Sequence, residues 1–340
     1  MTVELRTGRA RGPQRSDYIT KRTAVAPAPP GTPTPIWTAF LRDATRGDQE
    51  LISYLQRMAG YSLTGDTSEH ALFFIYGDGG NGKGVFINTL TRIFGDYAVV
   101  ASMETFTASK SDRHPTDLAM LRGARLVTAQ ETEEGRAWSE VRIKALTGGD
   151  PVTARFMRQD FFTFEPTFKL VIAGNHKPNL RSVDAAMRRR FNIIPFTNKP
   201  TSPDPQLAEK LKAEWPGILR WCIDGSLAWQ QQGLKPPAIV REATDAYFDE
   251  QDLFAQWLEE CCEAGASKSD TTAALFASWK AWAERNGDVA GTTRSFTQAM
   301  VKAGFRLVKN TPGHRGKRGF VGVAVKVIDT SNQWQNQHDS

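Results

Sequence analysis

The chain has 340 residues, 40% of them hydrophobic, with 43 Lys and Arg against 37 Asp and Glu for a formal charge of +6. That is enough apolar material for two or three packed domains and excludes a disordered or fibrous chain. The longest apolar runs, ALFFIY and FKLVIAG, fall far short of the roughly 20 residues that cross a bilayer, and the N-terminus lacks a signal-peptide apolar region, so no membrane association is expected.

The three cysteines, Cys222, Cys261 and Cys262, make neither a C-x-x-C pair nor a metal-ligand spacing. A reducing, cytoplasmic setting fits them best. Residues 1–36 carry Arg6, Arg9, Arg11, Arg15, Lys21 and Arg22 and end in the Pro-rich APAPPGTPTP, a composition expected to give a flexible basic tail. Residues 37–70 space Leu51, Tyr54, Leu55 and Met58 at helical intervals, which predicts a small helical segment.

ALFFIY then reads as a buried strand, YGDGGNGKGVF as a glycine-rich loop and KGVFINTLTRIFG as a helix. Further buried strands are expected at 124–131, 168–175 and 191–196. Strands separated by helical patterns predict an α/β fold with a mostly parallel sheet covered on both faces, here over residues 71–200. Residues 201–264 read as helices, interrupted at Pro236 and Pro237. Residues 265–328 read as helices followed by two strands around the turn-rich TPGHRGKRG, the pattern of a winged-helix domain, with a flexible tail at 329–340.

The loop matches G-x-x-x-x-G-K-[ST] except that Gly84 stands where the hydroxyl residue belongs. Glycines there let the backbone turn tightly, so that N–H groups and a helix N-terminus surround a phosphate. Gly77, Asp78, Gly79, Gly80, Asn81, Gly82, Lys83, Gly84 and Val85 are the expected ATP-binding residues, with Lys83 reaching the β- and γ-phosphates. Gly84 removes a direct hydroxyl contact to Mg²⁺, which leaves that role to water or to an acid elsewhere. Glu131, at the end of an apolar strand, is the expected catalytic base and metal-side acid, with Glu133 and Glu134 just beyond it and Gln130 where many such ATPases carry Asp. Asn175, ending the next strand, suits a neutral sensor of the γ-phosphate. Arg188, Arg189 and Arg190 form a cluster from which a guanidinium can reach a phosphoryl group across a subunit boundary.

Two basic regions are candidates for nucleic acid. GGDPVTARFMRQDFFTF mixes Arg155 and Arg158 with aromatics. From Val289 to Ile328 there is no Asp or Glu, while Lys302, Arg315, Lys317 and Arg318 stand among other cations. A recognition helix near 295–303 and a basic wing at 311–319 are expected there.

Together, FFIYGDGGNGKGVF, GARLVTAQETEEG, KALTGGDPVTARFMRQDFFTFEPTFKLVIAGNHKP and DAAMRRRFNIIPF resemble the phage and plasmid branch of superfamily 3 helicases, the poxvirus-type primase-helicases. The resemblance covers residues 37–200 and, less closely, the C-terminal segment. It implies an AAA+-type fold, a ring of six subunits with ATP and Mg²⁺ between neighbours, and translocation on single-stranded or forked DNA in phage or mobile-element replication within a bacterial host cytoplasm. By that resemblance Lys83 is the phosphate-loop lysine, Glu131 the acidic second motif, Asn175 the sensor, and Arg189 with Arg190 the paired arginines, one of them the finger. Gly84 is similar to an accepted variant of this branch. Gln130 departs from the paired acids of other branches and leaves Glu131 and Glu133 as alternatives. The segment before Trp37 is too short for a primase domain, so primer synthesis is not expected of this chain, and a separate primase or initiator is an implied partner. The rival readings are a phosphate-loop kinase or GTPase, against which no N-K-x-D motif is present, and an origin-binding assembly protein that uses ATP without unwinding.

Overall fold

The segment 1–36, expected above as a flexible tail, lies against the body of the fold in the computed structural model, which describes residues 1–108, 116–131, 137–180, 184–286 and 289–326. Strands β1 (Thr2–Glu4) and β2 (Arg9–Arg11) form an antiparallel hairpin. Val3, Leu5 and Val25 pack against the core. The Ala24 N–H donates to Ile93 O at 2.9 Å, and the Glu214 carboxylate accepts from the N–H groups of Ile36 and Trp37 at 2.9 and 2.8 Å. Proline withholds backbone donors and so opposes regular structure, but an extended chain can still dock when single apolar residues find a surface.

The main sheet comprises β3 (Leu72–Tyr76), β4 (Ala98–Val100), β5 (Leu126–Glu131), β8 (Lys169–Gly174) and β9 (Phe191–Pro195), all parallel, in the order β4-β5-β8-β3-β9. Between β5 and β8 a separate hairpin pairs β6 (Val152–Ala154) with β7 (Phe162–Phe164). The continuous apolar runs follow from double coverage. Phe73 and Ile75 face the core that holds Phe86, Leu90, Ile93 and Phe94 of the helix Lys83–Phe94, whereas Leu72 and Phe74 face the one that holds Trp138, Ile143, Leu146 and Phe248. The edge strand β4 was not anticipated. It is three residues long and takes its partner from β5 alone, so its local pattern carries little signal.

The helices Gln49–Leu63 and Trp215–Gln232 cross at a point where neither side tolerates a side chain. A Cβ on Gly60 would run into the backbone N of Ser226, and one on Gly225 into the backbone O of Gln56. Gly60→Ala is therefore expected to destabilise the N-terminal unit by about 3 kcal/mol through overpacking against rigid backbone. Urea unfolding checks this, with Gly12→Ala, whose Cβ meets nothing within 4 Å, as the silent control.

The chain divides into two compact units, Met1–Gln251 and Asp252–Ser340. The boundary expected at 264/265 thus falls at 251/252, and the helix Leu253–Cys261 belongs to the second unit. That unit runs helix, β10 (Cys262–Thr271), helix Thr272–Arg285, helix Thr293–Lys302, β11 (Arg306–Val308) and β12 (Gly319–Val325), with an antiparallel sheet ordered β10-β12-β11. Its core holds Trp257, Trp279, Trp282, Phe296 and Phe320. The Thr271 and Thr292 hydroxyls cap the second and third of these helices. Residues 329–340 lie outside the described residues.

Candidate nucleotide site

Parallel register brings the predicted site residues to one edge of the sheet. Tyr76 and Glu131 each pair with Gly174, so the loop after β3, the last residue of β5 and Asn175 after β8 leave the sheet side by side. In open α/β sheets this carboxyl edge is where ligands bind. The side chain of Glu131 and residues 132–136, with Glu133 and Glu134 among them, lie outside the described residues, so the strand-end position is what stands for Glu131.

The loop between β3 and the helix Lys83–Phe94 is shaped as a cradle. Gly80 and Gly82 take φ of 82° and 86°, conformations that side chains strongly disfavour. A Cβ on Gly77 would strike Phe196 O, and one on Gly82 would lie 2.8 Å from the Phe40 ring. Asp78, Gly79 and Gly80 are exposed, and a Cβ on Gly79 or Gly80 would meet nothing within 4 Å, so the turn opens outward. The backbone N–H groups of Gly79 and Gly80 make no hydrogen bond to any described residue. Unspent donors on a tight turn at a helix N-terminus fit the polyphosphate of a nucleotide.

Lys83, the first residue of that helix, is 7% exposed. Its ammonium donates to Gly77 O, to Asp78 O at 3.0 Å, to Asn81 Oδ1 at 3.0 Å and to Asn175 Oδ1 at 3.0 Å. Burial pushes its pKa down, against the opposing pull of the Asp78 carboxylate. Asn81 is the inner brace: 3% exposed, it accepts from Lys83 and donates to Phe196 O just past β9. The loop pattern named Asn81 as a phosphate-loop residue, but its contact with β9 has no sequence signal.

Mg²⁺ bound with a nucleotide is held chiefly by phosphate oxygens and water. Among the described residues no group of three His, Cys, Asp or Glu could hold a metal ion. Opposite Gly84 stand neutral amides: Gln130 Nε2 lies 3.5 Å from Asn88 Oδ1, and the nearest atom to a Cβ on Gly84 would be Asn88 Nδ2 at 4.0 Å. The missing hydroxyl is therefore not sterically excluded. Gly84→Ser is expected to fold normally, to gain about 0.5 kcal/mol from helix propensity, and to hold nucleotide at lower Mg²⁺ concentration. Thermal unfolding and Mg²⁺ titration of nucleotide binding check the two effects.

The three arginines go to three environments. Arg188 pairs with Asp245 at 2.8 Å and Asp249 at 2.9 Å and covers the Phe248 ring, with the Asp249 carboxylate raising its pKa. Arg190 is 7% exposed, donating to Thr147 Oγ1 at 3.1 Å and to Ala186 O at 2.7 Å. A guanidinium so placed is spent on contacts within its own chain. Arg189 is exposed, and its side chain has no hydrogen-bond or ion-pair partner among the described residues.

In the β6–β7 hairpin, Arg155 lies with its guanidinium 4.7 Å from the centre of the Phe161 ring, and Phe161 is 60% exposed. Arg158 sits exposed at the tip with φ of 60°. Phe162 stacks on Phe156 and, with the buried Phe164, packs toward the core. In the second unit Lys302 ends the helix Thr293–Lys302, and Arg315, Lys317 and Arg318 lie exposed between β11 and β12. A groove there is lined by Thr272, Lys280, Thr297, Lys317 and Arg318.

Residues 75–190, which span the loop and the arginine cluster, match a family of unknown function, DUF5906. The chain is 26% identical over 294 residues to the frog virus 3 (isolate Goorha) protein named "Putative helicase 022R", covering 78% of this chain and 30% of that protein. It is 25% identical over 232 residues to "Putative helicase L207/L206" of Acanthamoeba polyphaga mimivirus, covering 62% of this chain and 24% of that one. The chain thus spans about a third or less of the length of these curated relatives. Among solved structures, the NrS-1 C-terminal region superimposes with a TM-score of 0.53 at 13% identity, over 88% of this chain and 78% of that one. That likeness is one of fold.

Proposed function

We propose that this chain, which belongs with the phage and viral primase-helicases, is the ATP-hydrolysing motor of a DNA helicase in phage or mobile-element replication. One observation carries the reading: Lys83 of a glycine cradle reaches Asn175 Oδ1 at 3.0 Å, at the sheet edge where Glu131 also ends its strand. A phosphate-binding cation, a neutral sensor and an acid at one edge are the parts that γ-phosphate hydrolysis needs.

In this reading ATP enters with Mg²⁺. The Gly79 and Gly80 N–H groups and Lys83 hold its phosphates, Asn175 turns from Lys83 toward the γ-phosphate, and Glu131 takes a proton from the attacking water. Arg189, the exposed member of its cluster, completes the site of a neighbouring protomer, which makes hydrolysis depend on a ring. The β6–β7 hairpin offers single-stranded DNA a cation and stacking faces in Arg155, Arg158 and Phe161. The second unit is read as a winged helix that takes the phosphate backbone along Lys302, Arg315, Lys317 and Arg318.

The test is ATP hydrolysis by the whole chain with and without single-stranded DNA, together with strand separation on a forked duplex. DNA-stimulated hydrolysis and separation are expected. Hydrolysis without separation would transfer the chain to the assembly-protein reading, and no hydrolysis under any condition would remove the motor function altogether.

A further inference from the structure

The segment that follows β9 forms a wall of the nucleotide loop that no motif announces. Phe196 closes it from beneath: its N–H donates to Tyr76 O at 2.7 Å, and its carbonyl accepts from Asn81. Two residues on, Asn198 Nδ2 donates to Asp43 O at 2.8 Å, which ties the segment to the end of the helix Pro35–Ala44. These anchors deliver Lys199 to the mouth of the loop, where its ammonium stands 3.8 Å from Asp78 Oδ2.

Asp78 is the unexpected charge here. It occupies the second position of an anion-binding loop, its carboxylate is 78% exposed, and left alone it would repel a polyphosphate. Lys199 offsets it. Both cations meet the same loop residue, Lys83 at the Asp78 carbonyl (3.0 Å) and Lys199 at its carboxylate (3.8 Å). Two cations within reach of one loop suit a ligand with several adjacent negative charges. A single phosphate is already served by Lys83 and the loop N–H groups.

We propose that Lys199 is a second phosphate-binding cation of this site, held by Asp78 and transferred to the β- or γ-phosphate when a nucleoside triphosphate enters. The proposal rests on the nucleotide-site reading of Lys83. Asp78 then acts as a guard: a monophosphate gains too little from Lys199 to break the pair, whereas a triphosphate outcompetes a single exposed carboxylate.

The experiment is equilibrium binding of ATP, ADP and AMP to the whole chain and to four variants: Lys199→Ala, Lys199→Arg, Asp78→Asn and Lys83→Ala. Both members of the pair are well exposed, so the Lys199 and Asp78 variants are expected to fold. Lys199→Ala should weaken ATP about fivefold and leave AMP unchanged, Lys199→Arg should bind ATP like the parent, and Asp78→Asn should tighten ATP. Raising the salt concentration should shrink each difference. Unchanged ATP affinity in Lys199→Ala, or an equal loss for ATP and AMP, overturns the proposal while the loss in Lys83→Ala preserves the nucleotide site. If Lys83→Ala also binds ATP like the parent, the nucleotide-site reading itself fails.

Discussion

Replacing Lys83 by alanine is expected to lower ATP turnover by about 10²- to 10³-fold and to abolish strand separation, because it removes the buried cation of the cradle. Folding should survive the change. The partners of the ammonium are the loop carbonyls of Gly77 and Asp78 and the side-chain oxygens of Asn81 and Asn175, and of these Asp78 and Asn175 are exposed, so water can take their share of the lost hydrogen bonds. Steady-state hydrolysis and circular dichroism of the same preparation separate the two effects. Unwinding that persists in Lys83→Ala would sink the motor reading.

Arg189→Ala should reduce turnover by about 10³-fold, the scale of a lost arginine finger, with thermal stability unchanged because the side chain is exposed and has no partner among the described residues. Arg190→Ala should behave in the opposite way. It empties a buried position and frees Thr147 Oγ1 and Ala186 O, at a cost of about 3 kcal/mol in stability. Mixing provides the decisive readout. Lys83→Ala and Arg189→Ala protomers, each inactive alone, should regain part of the parental activity when combined, since one interface then joins an intact loop to an intact arginine. Absence of recovery in a mixed assembly would place Arg189 outside the catalytic interface.

The nucleotide loop was legible in the sequence because its chemistry is local: glycines fix the turn, and Lys83 is six residues from Gly77. Strand ends were legible for a related reason. A continuous apolar run such as Leu126–Glu131 signals a strand covered on both faces, and parallel strands deliver their last residues to one edge. Strand β10 was not legible. CEAGASKSDT is polar, mostly exposed and irregular in register between Ala264 and Ser269, and it is a strand because β12 supplies its hydrogen bonds. Nor was the docking of residues 1–36, whose arginines and prolines outnumber the few apolar residues that anchor it.

The arginine triplet and Lys199 mark the same limit inside the site. Adjacent guanidiniums of identical chemistry separate only because Thr147 lies beneath Arg190, Asp245 and Asp249 lie beside Arg188, and no described side chain pairs with Arg189. Lys199 gains its place from Asn198 on Asp43 and Phe196 beneath Asn81. By itself the sequence determined what the loop, the strands and the charges are capable of, since short-range sterics and apolar periodicity act within a few residues. Tertiary structure alone decided which cations are buried, paired or exposed, because that depends on partners about 40 to 160 residues away along the chain.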